Sequence, residues 1–430
     1  MTAPAITIEP ADASLDQARS IRLHGFGAEP VTLRATLRHP DGSLWRSEAS
    51  FQAGDDGRVD LARQAPLHGD WGHADAMAPV WAMQRLQAPV DPSRTDEVAP
   101  LTITLDAHDS TGRQASAEFV QRYVVDGVER REIATNGIVG TLFQPAGSQA
   151  RPAIVVMNGS GGGIPRQRAA QFAAQGYSAL ALGYFKAPGL PDYISATPLE
   201  YFERALRWVH ETLAPAGGFV AVTGQSRGGE LALLLGARFP QWVKAVIAYV
   251  PSAVVHGTLR AGRPGEAPDS PVWTWGGEPL PNVWQNNPDV DWSAFNARPT
   301  GGAALRQAPA FDTALRNVAA VAAARIPVER IAGPVMLVSG TDDGFWPSAR
   351  FADDVAASLR EHGHRWPVEH VRCEGAGHGI GLPHGPTTLI ERPHPVAGLV
   401  LSAGGKAAAN ARANAESWHA VQRFLREATA

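Results

Sequence analysis

The sequence predicts two domains: an antiparallel β-sandwich over residues 1–126 and a mostly parallel β-sheet flanked by helices over residues 127–430. In the first part, apolar and polar residues alternate with a period of two, and clusters of Pro, Asp and Gly separate the runs. This pattern is typical of short antiparallel strands. After Asp126-Gly127 the runs become apolar throughout and alternate with helical stretches, as parallel strands covered on both faces require. A chain of 430 residues is long enough for two separate cores.

The alternating and apolar runs locate the individual elements. In the first domain they predict the strands Val31–Leu37, Leu44–Phe51, Leu101–Leu105 and Ala117–Tyr123. In the second domain they predict buried strands over Ala153–Met157, Ser178–Leu182, Phe219–Thr223, Ala245–Val250 and Val335–Ser339. Helical periodicity covers Arg166–Gln175, Leu199–Leu213 and Leu231–Arg238. Residues from about 255 to 325 break this rhythm and are rich in Pro, Gly, Asn and Trp, which predicts an insertion, a candidate lid, over the sheet edge.

Composition limits the classes of function. With 44% hydrophobic residues, 19% charged residues and a net charge of −4, the chain is typical of a globular protein with no general affinity for nucleic acid or anionic membranes. The single cysteine, Cys373, excludes an intrachain disulfide and a cysteine-based zinc site, and we expect it to be buried in a strand. No apolar run approaches the ~18 residues of a membrane span. With no secretory signal at the start, we expect a cytoplasmic protein that needs no cofactor or metal; the oligomeric state stays open.

A nucleophile motif stands at the centre of the second domain. The run Phe219–Glu230 contains an apolar strand and a G-x-S-x-G turn, and an apolar helix follows. A serine on such a tight turn points its hydroxyl outward, and small neighbours allow the close backbone approach that the turn needs. We therefore predict Ser226 as the nucleophile. The amide of Arg227, at the start of the following helix, is the first predicted donor to an oxyanion.

An acid and a base follow in the chain order of the α/β-hydrolases, Ser, acid, His. The strand Val335–Ser339 runs into two adjacent aspartates, and the glycine-flanked His378 follows a further predicted strand, Pro367–Cys373. We predict His378 as the base and Asp343 as the carboxylate that orients it. Asp342 remains the alternative acid. The aspartate that does not orient the histidine is expected to cap local backbone amides. His362 and His364 are predicted to lie in a solvated turn rather than in a metal site.

A glycine-rich loop supplies the second predicted oxyanion donor. The loop Gly159–Gly163 follows the first long apolar strand and precedes a helix, so its backbone amides are placed to point into the site. We assign the donor to Ser160 or Gly161. The loop lacks the G-K-[ST] and G-x-G-x-x-G patterns of phosphate-binding loops.

These blocks together resemble one family, the type I acyl-CoA thioesterases and bile acid-CoA:amino acid N-acyltransferase, nearly end to end. The resemblance rests on blocks that follow the family order: Val128–Glu132, Gly140–Pro145, Gly159–Gly163, Leu199–Glu203, Gly224–Glu230, Ile326–Arg330, Asp342–Asp343 with Trp346 and Ser348, and Gly377–His378. It implies an immunoglobulin-like sandwich before an α/β-hydrolase domain, and a small-molecule acyl thioester or ester, such as an acyl-CoA, as substrate.

The nucleophile within this resemblance favours hydrolysis. Members with serine at the turn are similar to hydrolases, whereas the amino-acid-transferring member carries cysteine, and here the residue is Ser226. Two alternatives stay open: acyl transfer to an amine or alcohol, and a carboxylesterase or lactonase of specialised metabolism. The loop Gly379–Gly385 departs from the acidic-Pro-Pro-Tyr run of the family, so the acyl length is not implied. Arg166 and Arg168 could meet CoA phosphates, but we predict that they are solvated charges at a helix start.

Overall fold

The computed structural model describes residues 3–27, 29–90, 96–296, 304–396 and 398–430. The chain divides into two compact units. The first unit comprises residues 1–126 together with 381–389 and 406–415, and the second comprises 127–380, 390–405 and 416–430. Two segments that we assigned to the second domain by sequence therefore group with the first unit, so neither unit is continuous in sequence.

The first unit contains two β-sheets, as the alternating pattern predicted. One sheet has the strand order β1-β3-β6, and the other has β2-β10-β9-β4-β5-β7 with β8 also paired to β5. The elements are β1 (Ala5–Glu9), β2 (Asp12–Ser14), β3 (Ser20–His24), β4 (Val31–Arg38), β5 (Leu44–Phe51), β6 (Val59–Asp60), β7 (His68–Gly69), α1 (Ala78–Trp81), β8 (Gln84–Gln87), β9 (Leu101–Asp109) and β10 (Gln114–Arg122). Alternate residues of β4 are buried, because one face of each sheet packs on the core of the sandwich. The predicted β-sandwich is confirmed.

The second unit is built on an eight-stranded sheet with the order β11-β12-β14-β13-β16-β17-β20-β21. Its strands are β11 (Val128–Thr135), β12 (Ile138–Pro145), β13 (Ala153–Met157), β14 (Ser178–Gly183), β16 (Val220–Gln225), β17 (Ala245–Tyr249), β20 (Val335–Gly340) and β21 (Val368–Cys373). The pairs β11–β12 and β12–β14 are antiparallel and the others are parallel. All five predicted buried strands form, and β13, β14, β17 and β20 are buried along their whole length. The fold class predicted from the sequence is confirmed.

Helices and short strand pairs complete the second unit. The helices are α2 (Arg166–Ala174), α3 (Leu199–Trp208), α4 (Arg227–Arg238), α5 (Trp292–Asn296), α6 (Ala308–Ala314), α7 (Val318–Ala324), α8 (Ser348–Glu361) and α9 (Ala407–Thr429), of which residues 407–415 group with the first unit. A π-helical turn, Val209–Leu213, extends α3 to the predicted length, and 3₁₀ segments cover Ala216–Gly218 and Val328–Arg330. The short strands are β15 (Thr197–Pro198), β18 (Trp273–Trp275), β19 (Glu278–Pro279), β22 (Glu391–Pro393) and β23 (Val400–Ser402). Within the described ranges, no helix combines the length and apolar character needed to cross a membrane.

The predicted insertion at 255–325 lies between β17 and β20, and its residues 297–303 fall outside the described residues. These two strands are neighbours inside the sheet, so the segment leaves the carboxyl end of an interior strand rather than the outer edge of the sheet. Trp273 is fully buried in the main core, whereas Trp284 belongs to a second apolar cluster with Phe311 and Trp346. The tryptophans of the insertion thus build core, which is the usual consequence of burying large aromatic side chains.

Candidate active site

Ser226 occupies a strained turn between β16 and α4. Its backbone has φ 60° and ψ −122°, a conformation that costs an ordinary side chain about 1–3 kcal/mol and is found mostly at functional sites. Glycines make the turn possible, because a Cβ on Gly224 would lie 2.2 Å from the carbonyl oxygen of Gly228. A Cβ on Gly228 would lie 2.6 Å from the carbonyl oxygen of Asn158. The half-buried serine is thereby held against the loop that follows β13.

Asp343 and His378 form a buried pair. Nδ1 of His378 lies 3.0 Å from Oδ1 and 2.8 Å from Oδ2 of Asp343, and the two side chains are 4% and 2% exposed, respectively. An ionised carboxylate only accepts hydrogen bonds, so Nδ1 carries a proton and donates it. Nε2 of His378 is buried, and the described part of the chain offers it no hydrogen-bond partner. A neutral imidazole held in this way presents an unprotonated Nε2, which is the form a general base needs.

One backbone carbonyl joins the loops that carry the pair. The oxygen of Ala403 accepts from the amide of His378 at 2.8 Å and from the amide of Gly344 at 2.9 Å. Asp343 in turn accepts from the amides of Phe345 at 2.9 Å and Trp346 at 3.3 Å, so its own loop orients the carboxylate. These contacts position the two side chains before any substrate binds.

Asp342 points elsewhere. Its Oδ1 accepts from Arg306 at 2.6 Å and its Oδ2 accepts from the amide of Gly405 at 2.9 Å, and its side chain is 46% exposed. Of the two adjacent aspartates, only Asp343 contacts the imidazole of His378.

Aromatic rings enclose the imidazole. Phe345 stacks on His378 with the ring centroids 4.5 Å apart and an interplanar angle of 28°. Trp346 meets the same ring edge-on at 5.8 Å. These rings restrict the imidazole to one orientation and shield its bond to Asp343 from water.

The predicted oxyanion residues border Ser226. A Cβ built on Gly159 would lie 3.1 Å from Cβ of Ser226 and 3.6 Å from the amide nitrogen of Arg227, so the glycine loop and the start of α4 meet there. Ser160 and Gly161 are the next residues of this loop. Ser160 lines the same cavity as Ser226 and Gly161. The structure therefore brings all six sequence-predicted residues to one place.

A buried ion pair stabilises the start of α4. Glu230 is fully buried and accepts from Nη1 of Arg227 at 2.9 Å, from Nδ1 of His256 at 3.1 Å and from Nε1 of Trp273 at 2.9 Å. Burial alone would raise the pKa of Glu230, but Arg227, followed by the bonds from His256 and Trp273, holds it below the ordinary value. Because His256 and Trp273 come from the insertion, this cluster ties the insertion to the helix that follows the nucleophile. The sequence shows Glu230 only as part of the turn block.

The cavity beside Ser226 has a volume of about 310 Å³. Besides the glycine loop, Ser226 and His378, it is lined by Arg392, Pro393, His394 and Pro395. A smaller cavity of about 50 Å³ also borders Ser226 and is lined by Arg260, Phe311 and His394 among others. Sequence reasoning missed Arg392 and His394, because the segment 390–405 has two strands of only three residues and no periodicity to mark it.

Arg166 and Arg168 are the remaining candidates from the sequence. Arg168 is not solvated, and that prediction is wrong: its guanidinium lies 4.2 Å from the ring centroid of Tyr249, and burial lowers its pKa. Arg166 donates to Thr141 at 2.9 Å. Neither arginine lines the cavities described above.

The cysteine and the paired histidines have structural positions. Cys373 is buried at the end of β21, as predicted. His362 is exposed, whereas His364 is half-buried and bonds the carbonyl oxygen of Gly333 at 3.1 Å, so the turn is only partly solvated. Across the described ranges, no three His, Cys, Asp or Glu side chains gather as metal ligands.

A serine held on a strained strand-to-helix turn, with a carboxylate–imidazole pair beside it above a parallel sheet, is the arrangement of the α/β-hydrolases. The fold and the site place this protein in that class.

Comparison with known proteins narrows the class. Two family models match: "Acyl-CoA thioester hydrolase/BAAT N-terminal region" over residues 16–135 and "BAAT / Acyl-CoA thioester hydrolase C terminal" over residues 197–430. The human acyl-coenzyme A thioesterase 1 is 30% identical over 98% of this chain and 96% of its own. The mouse acyl-coenzyme A thioesterase 6 is 30% identical over 99% and 97%, and the mouse peroxisomal succinyl-coenzyme A thioesterase is 27% identical over 98% and 96%. The chain therefore belongs to the acyl-CoA thioester hydrolase/BAAT family, which confirms the resemblance seen in the sequence, and it is an enzyme of the hydrolase type.

Proposed function

We propose that this enzyme hydrolyses acyl-CoA thioesters through an acyl-serine intermediate, with Ser226, His378 and Asp343 as the catalytic triad. The observation that carries the proposal is the hydrogen bonding of the two ring nitrogens of His378. Both carboxylate oxygens of Asp343 hold its Nδ1, and its Nε2 has no hydrogen-bond partner among the described residues. The imidazole and Ser226 line the same cavity. This leaves Nε2 as the acceptor for the serine proton.

The reaction then needs only these groups and water. Nε2 of His378 takes the proton of the Ser226 hydroxyl while Oγ attacks the thioester carbonyl carbon. The amide of Arg227 and the amide of Ser160 or Gly161 donate to the oxyanion. As the tetrahedral intermediate collapses, the carbon–sulfur bond breaks and His378 returns its proton to the CoA thiolate. A water molecule repeats the sequence on the acyl-serine, which releases the carboxylic acid and restores the Ser226 hydroxyl.

The charge around the cavities supports an anionic substrate. Arg392 lines the larger cavity, and Arg260 lines the smaller one. No carboxylate appears among the described lining residues of either cavity. Cationic walls raise the local concentration of a substrate of opposite charge, and the CoA moiety carries phosphates. The thioesterase activity that the names of the relatives state points to the same substrate class.

The nucleophile favours water as the acyl acceptor. Ser226 forms an oxygen ester, which water cleaves with His378 as general base. A cysteine would instead form a thioester, a more reactive acyl group suited to attack by an amine. Acyl transfer to an amine or alcohol, and hydrolysis of simple esters or lactones, are the competing reactions that the assay must separate.

The triad is tested with Ser226→Ala. Removal of a triad nucleophile costs ~10⁶ in kcat, so we expect no measurable CoA release and an unchanged melting temperature. The matched control is Ser148→Ala, at an exposed serine of the second unit, which should keep full activity. A fluorophosphonate should label wild type and the control but not Ser226→Ala. Turnover that survives in Ser226→Ala would refute the proposed nucleophile.

The reaction class is tested with a panel of acyl-CoAs from acetyl to palmitoyl, p-nitrophenyl butyrate and a lactone, each with and without glycine or taurine. Hydrolysis predicts one carboxylic acid for each CoA released, with no change when the amine is added. An acyl-amine product that replaces the acid would show a transferase. Cleavage of the ester or lactone without cleavage of any acyl-CoA would show a specialised esterase.

A further inference from the structure

A second serine–histidine contact lies beside the triad. Oγ of Ser160, on the glycine loop, is 2.9 Å from Nε2 of His394. His394 stands in the turn between β22 and β23, which is closed by backbone bonds from the His394 amide to Leu399 at 2.9 Å and from Gly398 to the His394 carbonyl at 2.8 Å. The contact thus joins two loops that are distant in sequence.

The direction of the bond follows from the other ring nitrogen. The amide of Val396 donates to Nδ1 of His394 at 3.3 Å, so Nδ1 is the acceptor and carries no proton. A neutral imidazole has one N–H, which is then on Nε2. His394 therefore donates to Oγ of Ser160.

The surroundings of His394 keep the ring neutral. Burial lowers its pKa to about 4, with further contributions from the nearby cations. These cations are Arg260, Lys186 and Arg392. Protonation would add a fourth positive charge to this group, so the single-proton form persists at neutral pH.

The hydroxyl proton of Ser160 must therefore point away from His394. A hydroxyl has one donor, and Oγ already accepts from Nε2. Within the described ranges, His394 is the partner of this hydroxyl, and Ser160 lines both cavities that border Ser226. Its neighbour Gly159 packs against Ser226, since a Cβ there would lie 3.1 Å from the serine Cβ. The hydroxyl proton of Ser160 is therefore available to a molecule bound in the cavities that Ser226 also borders.

We propose that the side-chain hydroxyl of Ser160 donates a hydrogen bond to the substrate oxyanion, and that His394 is the positioning residue that sets its direction. This inference rests on the proposed acyl-serine mechanism, and it adds a side-chain donor to the backbone amides. The oxyanion forms during both acylation and deacylation. A donor to the oxyanion therefore accelerates both steps, whereas a donor to the departing CoA sulfur would accelerate only acylation.

The test uses p-nitrophenyl butyrate, because the nitrophenolate burst reports acylation and the steady state reports deacylation, with butyryl-CoA in parallel. Loss of one oxyanion donor costs about 10²–10³ in kcat. Ser160→Ala should therefore slow both phases by about 10² with KM changed by less than about threefold. Ser160→Thr, which keeps the hydroxyl, should restore most of the rate.

The role of His394 is tested with His394→Phe, His394→Gln and the double variant. His394→Phe removes the Nε2–H donor and should slow both phases, and the double variant should be no slower than Ser160→Ala alone, because the histidine acts through that serine. His394→Gln keeps an N–H donor and should recover most of the rate lost in His394→Phe, which a purely structural role of the ring would not allow. The exposed His362 supplies the matched control, His362→Phe, with unchanged rates.

Three results would overturn the inference: full activity in Ser160→Ala, a loss confined to the burst phase, or losses that add in the double variant. Ser226→Ala, measured alongside, distinguishes failure of the acyl-serine mechanism from failure of the role of Ser160. Activity in Ser226→Ala would refute the acyl-serine mechanism itself. An inactive Ser226→Ala together with a fully active Ser160→Ala would refute only the role of the Ser160 hydroxyl.

Discussion

Replacing Asp343 by Asn should inactivate the enzyme while preserving the geometry of the site. Oδ1 of Asp343 accepts from the amides of Phe345 and Trp346, so the carbonyl oxygen of the asparagine keeps that position. Its NH₂ group then occupies the position of Oδ2, 2.8 Å from Nδ1 of His378. An amide in this position donates a proton, which forces the proton of the imidazole onto Nε2.

That tautomer cannot accept the proton of Ser226. The expected loss is ~10⁴ in kcat, as for a triad aspartate changed to asparagine elsewhere, or about 5.5 kcal/mol of transition-state stabilisation. The assay is steady-state CoA release followed with a thiol reagent, and Asp342→Asn is the matched control because its carboxylate bonds Arg306 and Gly405 instead. The reasoning fails if Asp343→Asn loses less than about tenfold, or if Asp342→Asn loses as much.

Three further substitutions test the interactions that stabilise the residues of the site. Glu230→Gln leaves the buried guanidinium of Arg227 without its charge partner, so unfolding in urea should show a loss of about 3–5 kcal/mol; a loss below about 1 kcal/mol would contradict this. His394 has a pKa of about 4 in the folded protein against about 6.5 in an unfolded chain. The unfolded chain therefore binds more protons between these values, and stability should fall as the pH drops from 7 towards 4, by about 3 kcal/mol. His394→Gln should reduce that dependence, to which His256, His364 and His370 also contribute through their lowered pKa values, and an unchanged slope would refute the assignment. Gly228→Ala places a methyl group 2.6 Å from a backbone carbonyl oxygen. It should lower the free energy of unfolding by about 1–3 kcal/mol and should also reduce fluorophosphonate labelling of Ser226. Gly385→Ala, with open space around it, should change neither quantity.

The sequence predicted the elements whose signal is local. The apolar runs of the second domain match β13, β14, β16, β17 and β20 to within one or two residues, because a strand covered on both faces excludes polar residues along its whole length. The turn at Ser226 was predicted for a related reason. Its chemistry needs glycines at fixed positions, and those positions can be read directly from the chain.

Features that depend on distant contacts could not be predicted in this way. Arg168 resembles an ordinary charge in the first turn of a helix, and only the fold places Tyr249 beneath its guanidinium at 4.2 Å. β11 is an edge strand with most of its residues exposed, and β12, although largely buried, is interrupted by Gly140, Thr141 and Gln144. They were therefore not recognised as strands, although the blocks that contain them supported the family resemblance.

The base and its carboxylate show how local and distant signals combine. The glycine before His378 was interpreted as a sign of a loop, but the structure gives it a more specific role. A Cβ on Gly377 would lie 2.2 Å from the carbonyl oxygen of Gly404, so a glycine is needed where segment 403–405 crosses the two loops. That crossing brings the Ala403 carbonyl to the amides of both Gly344 and His378. The distance between Asp343 and His378 is therefore set by a third segment, and a sequence motif can name the catalytic residues without showing what holds them together.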